Sequence, residues 1–106
     1  MSEEYEGYTV VVIPKEKTKP KLEKPRLYKV IILNDDYTPM EFVVGILTTY
    51  FHKTTEEANA IMLDIHKNGK GIAGIYPLDI AETKLRQVIK HARKEEFPLT
   101  AKLESE

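Results

Sequence analysis

Apolar and polar positions alternate in distinct regimes along the chain, and each regime predicts an element. Leu27-Tyr-Lys-Val-Ile-Ile-Leu33 is a β-branched run of strand length, apolar on nearly both sides. Such a run predicts a central strand. Asn34-Asp35-Asp36 ends it with strand-breaking turn chemistry. Thr38-Pro39-Met40-Glu41 then predicts a helix start, with Thr38 as N-cap, Pro39 in the first helical position and Glu41 closing a capping box. Met40, Val43, Val44, Leu47, Tyr50 and Phe51 recur at helical spacing and form one apolar stripe. A second capping box, Thr54 to Glu57, leads into Ala58, Ile61, Met62 and Ile65 and stops at Asn68-Gly69.

Gly71-Ile-Ala-Gly-Ile-Tyr76 reads as a short strand whose glycines predict close backbone approach. After the break at Pro77, Asp79 and Glu82 are positioned to cap a third helix. Its apolar face is Ala81, Leu85, Val88, Ile89 and Ala92, and Arg93 and Lys94 suit its negative C-terminal end. Leu99, Ala101 and Leu103 alternate with polar residues in a last strand. The order β-α-α-β-α-β predicts a small α+β sandwich, a three-stranded antiparallel sheet packed against three helices on one face. No internal repeat is present.

The first 26 residues break this pattern. Pro14, Pro20 and Pro25 punctuate a stretch of alternating Lys and Glu with almost no apolar residue. Such a stretch buries too little surface to offset its chain entropy. It predicts a flexible, disordered N-terminal arm over residues 1–26 and a folded core over 27–106. Within the arm, Tyr8-Thr-Val-Val-Val-Ile13 is β-prone and uncharged, fitting a stray strand, a docking segment or an aggregation hazard.

Composition narrows the function classes. The chain has 106 residues, 42% hydrophobic and 31% charged, with a formal net charge of −1. That balance gives no general electrostatic case for nucleic acid or an anionic membrane. There is no apolar run of the ~18 residues a membrane span needs. The start, Met1-Ser-Glu-Glu-Tyr-Glu6, is acidic where a secretory signal is basic and then apolar. With no cysteine there is no disulfide framework and no thiol chemistry. A cytoplasmic binding protein fits all of this.

The informative segment lies where the central strand meets the first helix. Asn34, Asp35 and Asp36 offer hydrogen-bond acceptors there, although any such triplet also serves as plain turn formers. An α-ammonium carries three donors and suits a carbonyl, a carboxylate or an imidazole nitrogen. His66 follows Met62 by four residues, so both project from one face of the second helix. Met40 and Met62 are flexible and polarisable, which suits a pocket for several large side chains as well as ordinary core packing. Catalytic constellations are missing. His52, His66 and His91 lie 14 and 25 residues apart without zinc-ligand spacing. No nucleophile–base pair and no phosphate loop is present, and no cofactor is implied.

The block Leu33-Asn-Asp-Asp-Tyr-Thr-Pro-Met-Glu-Phe-Val43 resembles the signature of the ClpS adaptor family. Ala58, Met62-Leu-Asp-Ile-His66, Gly69, Ala81-Glu-Thr-Lys84, Pro98-Leu99 and Leu103-Glu104 follow at the spacing of that family. The likeness covers residues 26–104 and leaves the arm out. It implies a non-enzymatic adaptor that binds N-degron substrates, proteins with Leu, Phe, Tyr or Trp first, and delivers them to a ClpA-type AAA+ unfoldase for degradation by ClpP. It also implies that Asn34 and His66 hold the α-ammonium with the Asp35 carboxylate nearby, while Asp36 and Thr38 shape the rim. Met40, Val43, Met62, Ile65 and Leu99 would enclose the side chain, with Met40 as a gate against β-branched residues. Asp79, Glu82 and Lys84 would meet the unfoldase's N-terminal domain, Asp79 being shorter than the acid expected there. The arm would engage the unfoldase pore, and a free adaptor is expected to be monomeric. Two rival expectations are a ribosomal-stalk-like interaction module of similar build and a metal-dependent hydrolase using Asp35, Asp36 and His66.

Overall fold

A computed structural model describes residues 2–5, 7–13 and 26–106. Its elements in chain order are β1 (Ser2–Tyr5), β2 (Tyr8–Val11), β3 (Leu27–Leu33), α1 (Met40–Tyr50), α2 (Thr55–Asn68), β4 (Lys70–Pro77), α3 (Leu78–Lys94) and β5 (Thr100–Ser105). The α+β class, the three helices and the β3-to-β5 order match the pattern in the sequence. The sheet does not. It has five strands in the order β1-β2-β5-β3-β4 rather than three. It is mixed, because β2 runs parallel to β5 while the other neighbours are antiparallel.

The two additional strands come from the segment expected to be a disordered arm. Without them the edge of β5 would present a row of unpaired backbone groups. Residues 8–11 fill it, with Tyr8 paired to Ala101 and Val10 to Leu103. Tyr8 and Val10 are buried while Thr9 and Val11, which alternate with them, are half-buried, the two-residue period of a strand with one covered face. Beyond the strand, the Ile13 N–H donates to the Ser105 hydroxyl at 2.6 Å. Gly7 closes the hairpin at φ +85°, and a Cβ there would lie 2.6 Å from Ile89 Cγ2. Only glycine meets both conditions. The lysine- and proline-rich part of the expected arm, residues 14–25, lies outside the described residues.

One core joins the layers. Tyr28, Val30 and Ile32 of β3 share a buried cluster with Ala73, Ala101 and Leu103 of the flanking strands. Ile46 and Leu47 of α1, Ala58 and Ile65 of α2, and Leu85, Val88 and Ala92 of α3 close it, so all three helices cover the same face. Among the described residues only Ile31 is buried on the other face, between Ile72 of β4 and Lys102 of β5. Ile72 and Ile75 stay exposed there. The strand is flanked by β5 and β4 and helix-covered on one side only, as the pattern of the sequence predicts.

Helix ends follow local chemistry in one case of three. The capping box of α2 is complete, with the Glu57 N–H donating to Thr54 Oγ1 at 3.1 Å and the Thr54 N–H to Glu57 Oε1 at 2.9 Å. That bond holds the Glu57 carboxyl below its usual range. Gly69 ends the helix in the left-handed region at φ 89°. At α1 the cap is Pro39 with no side-chain bond; Thr38 lies one residue earlier, where its hydroxyl donates to Asp35. At α3 the cap is Pro77, and Asp79 sits inside the first turn, where its Oδ1 accepts from the Ile80 N–H.

Candidate functional site

The ladder of β3 builds the site. Its last residue, Leu33, pairs with Lys70 on one side and Thr100 on the other. The residues next to those three, Asn34, Gly69 and Leu99, therefore converge at one end of the sheet. The Asn34 N–H donates to the Gly69 carbonyl at 2.9 Å, which ties the turn to the C-terminal end of α2. The last turn of α2 carries His66, exposed, and one turn earlier Met62, half-buried against the core.

Asp35 organises the turn. Its Oδ1 accepts from the Tyr37 and Thr38 N–H groups at 2.8 and 2.7 Å, and its Oδ2 accepts from the Thr38 hydroxyl at 2.7 Å. A carboxylate has about four lone-pair sites, so about one remains for an outside donor. Asp36 is exposed, as is Met40 at the start of α1. One turn along α1, Val43 is buried, and so are Ile65 of α2 and Leu99. Asn34, Asp36, Met40 and His66 are thus exposed, while Val43, Ile65 and Leu99 belong to the buried core. Arg93 contributes without having been singled out from the sequence, where it read only as a match to the dipole of α3. Its Nη1 donates to the carbonyls of Phe97 and Leu99 at 2.9 and 2.8 Å, which fixes the approach to β5.

The second expected surface lies on α3. Asp79 is exposed, and Glu82 is half-buried with a long pair to Arg86 at 3.8 Å. Lys84 is less free than an interface charge. Its ammonium donates to the Tyr50 carbonyl at the end of α1 at 2.8 Å and sits 5.3 Å from the centre of the Tyr76 ring. Burial raises the Tyr76 phenol above its usual range. Among the described residues no three His, Asp or Glu side chains come together as a metal-holding group, so Asp35, Asp36 and His66 do not form one. No helix among them is long and apolar enough to cross a membrane.

A small α+β domain with an exposed turn tied to the end of α2 suits a binding module. Residues 23–102 match the family model described as ATP-dependent Clp protease adaptor protein ClpS. The chain belongs to that family. The ATP-dependent Clp protease adapter protein ClpS of Acetivibrio thermocellus is 54% identical over 94 residues, 89% of this chain and 95% of its own length. That of Bdellovibrio bacteriovorus is 55% identical over 87 residues, 82% of this chain and 76% of its own. The structure of Agrobacterium tumefaciens ClpS2 bound to L-phenylalaninamide aligns with a TM-score of 0.75 at 37% identity, covering 78% of this chain and 100% of that one. The relatives are named as adaptors, so the role is that of an adaptor for a Clp protease and not of an enzyme. The stalk-like reading gives way to it.

Proposed function

We propose that this adaptor binds the free amino terminus of proteins beginning with Leu, Phe, Tyr or Trp and passes them to a ClpA-type AAA+ unfoldase for degradation by ClpP. One observation carries the reading: a solved relative at 37% identity is bound to L-phenylalaninamide. That ligand is chemically the first residue of a chain, with a free α-ammonium, a large apolar side chain and an amide in place of the first peptide bond. The turn at Asn34 and the end of α2 at His66 suit the ammonium, together with the unused site of Asp35. Met40, Val43, Met62, Ile65 and Leu99 suit the side chain, and Asp36 and Thr38 the rim. The Asp79–Lys84 stretch of α3 is the proposed contact for the unfoldase's N-terminal domain. Residues 27–106 form the adaptor core in this reading, a monomer when free, acting in the cytoplasm without nucleic acid or membrane.

Burying one large side chain contributes roughly 1.5–3 kcal/mol, and each charge-assisted hydrogen bond roughly 1.5–3 more. After association costs, dissociation constants on the order of micromolar or tighter follow. Fluorescence anisotropy with peptides differing only in residue one tests this. Phe and Leu peptides are expected to bind, with Val and acetyl-Phe peptides failing and His66→Ala weakening the first two. Equal binding of the acetylated peptide would remove the ammonium site from the reading.

A further inference from the structure

We propose that the cavity between the N-terminal hairpin and α3 binds an acidic, extended peptide segment of a partner protein. The cavity, of about 590 Å³, is lined by Tyr5, Tyr8, Arg86, Ile89, Lys90 and Arg93. Its β1–β2 wall precedes residue 23, where the family match begins, so the site is an addition to the adaptor core.

The lining has one sign. Three cations line it, and no carboxylate does among the described residues. Of the described acids nearby, Glu3 and Glu82 are engaged, and Glu4 is exposed without lining the cavity. Glu3 accepts the Tyr5 hydroxyl at 2.7 Å, and Glu82 holds the long pair to Arg86. Among the described residues Lys90 has no ion-pair partner, and Arg93 keeps donors beyond the Nη1 used on Phe97 and Leu99. Tyr5 and Tyr8 stack at 5.1 Å and 8°, giving a flat apolar wall beside the charges. Tyr8 is 5% exposed, and its buried hydroxyl has no hydrogen-bond partner among the described residues. A buried donor without a partner is costly.

Spacing selects the occupant. Arg86, Lys90 and Arg93 are four and three residues apart, so they share one face of α3. At 1.5 Å per residue they spread over roughly 10 Å of helix. A single phosphate meets one or two of them. An extended chain repeats same-side residues about every 6.5–7 Å, so acids two positions apart can address the row while an intervening apolar residue covers the tyrosines.

The probe is a labelled peptide of alternating Glu and Leu, acetylated so that the amino-terminus site cannot take it. Titration with the full chain is expected to saturate. Affinity should fall about tenfold or more in the Arg86→Gln, Lys90→Gln double variant, which removes two of the three cations. Gly7→Val should cause a similar fall with every cation intact, because the hairpin wall is displaced; circular dichroism checks that the helices persist. His66→Ala should change nothing. No saturation, unchanged binding in Gly7→Val, equal binding of a Lys-for-Glu peptide, or displacement by inorganic phosphate would each overturn the proposal. None of these outcomes bears on the amino-terminus reading, since the probe lacks a free amine.

Discussion

Asp35 looks like a ligand in the sequence and acts first as a scaffold in the fold. Three hydrogen bonds converge on its carboxylate, two from backbone N–H groups and one from Thr38. Asp35→Ala leaves those donors without a partner, so denaturant unfolding should show a loss of about 1–3 kcal/mol. Phe-peptide binding should weaken in the same variant, since Asn34 and Met40 flank the turn. Asp35→Asn keeps an acceptor and should retain part of both, and equal losses in the two variants would remove the scaffold role. Glu57 gives a pH signature. Its folded carboxyl titrates below its unfolded value because it accepts the Thr54 N–H. A depressed folded value contributes stability that is present above the unfolded range and is lost as pH falls through the folded one. The thermal midpoint should therefore decline on acidification from about pH 5 downward, and Glu57→Gln should remove part of that decline. An unchanged acid slope in the variant would show the capping carboxylate to be irrelevant.

At the scale of elements, legibility followed how local each signal is. The capping box and Gly69 of α2 involve neighbours in sequence alone, and the chain forms them as written. Thr38 is not the cap, because Asp35 binds both its N–H and its hydroxyl in the preceding turn and the helix starts one residue later, at Pro39. Proline supplies the cap at both α1 and α3, where its fixed φ starts the helix without a side-chain bond. Lys84 shows what no local signal carries. It bonds the Tyr50 carbonyl 34 positions away, at the negative end of α1. Lys84→Met keeps the aliphatic stem and removes that bond, so it should cost about 0.5–1.5 kcal/mol in thermal unfolding. An unfoldase-binding defect in this variant is then informative only when it exceeds the stability loss, a point that isothermal titration at a temperature well below the melting transition decides. Glu82→Gln, without such a tether, should affect the interface with no comparable stability change.

At the scale of the whole molecule, the candidate site was legible because most of it is contiguous, residues 33–43, and the rest follows from where β3 ends. The sheet was not legible, because β2 joins it by a parallel pairing to β5 some ninety positions away. The magnitudes suggest how firmly. Burying Tyr8 and Val10 contributes roughly 1.5–3 kcal/mol each. Ordering the four residues of β2 costs about 1–2 kcal/mol apiece in backbone entropy. These nearly cancel, leaving the ladder and the Ile13–Ser105 bond to decide, so the hairpin should open at a free energy well below that of the core. Hydrogen exchange followed by mass spectrometry tests this. Segments covering residues 8–11 should exchange earlier than those covering β3, and Val10→Asp, which sets a charge against Leu103, should abolish their protection while β3 and β4 keep theirs. Simultaneous loss in β3 would mean that the hairpin and the adaptor core unfold as one unit, and that the hairpin helps to hold the peptide site together.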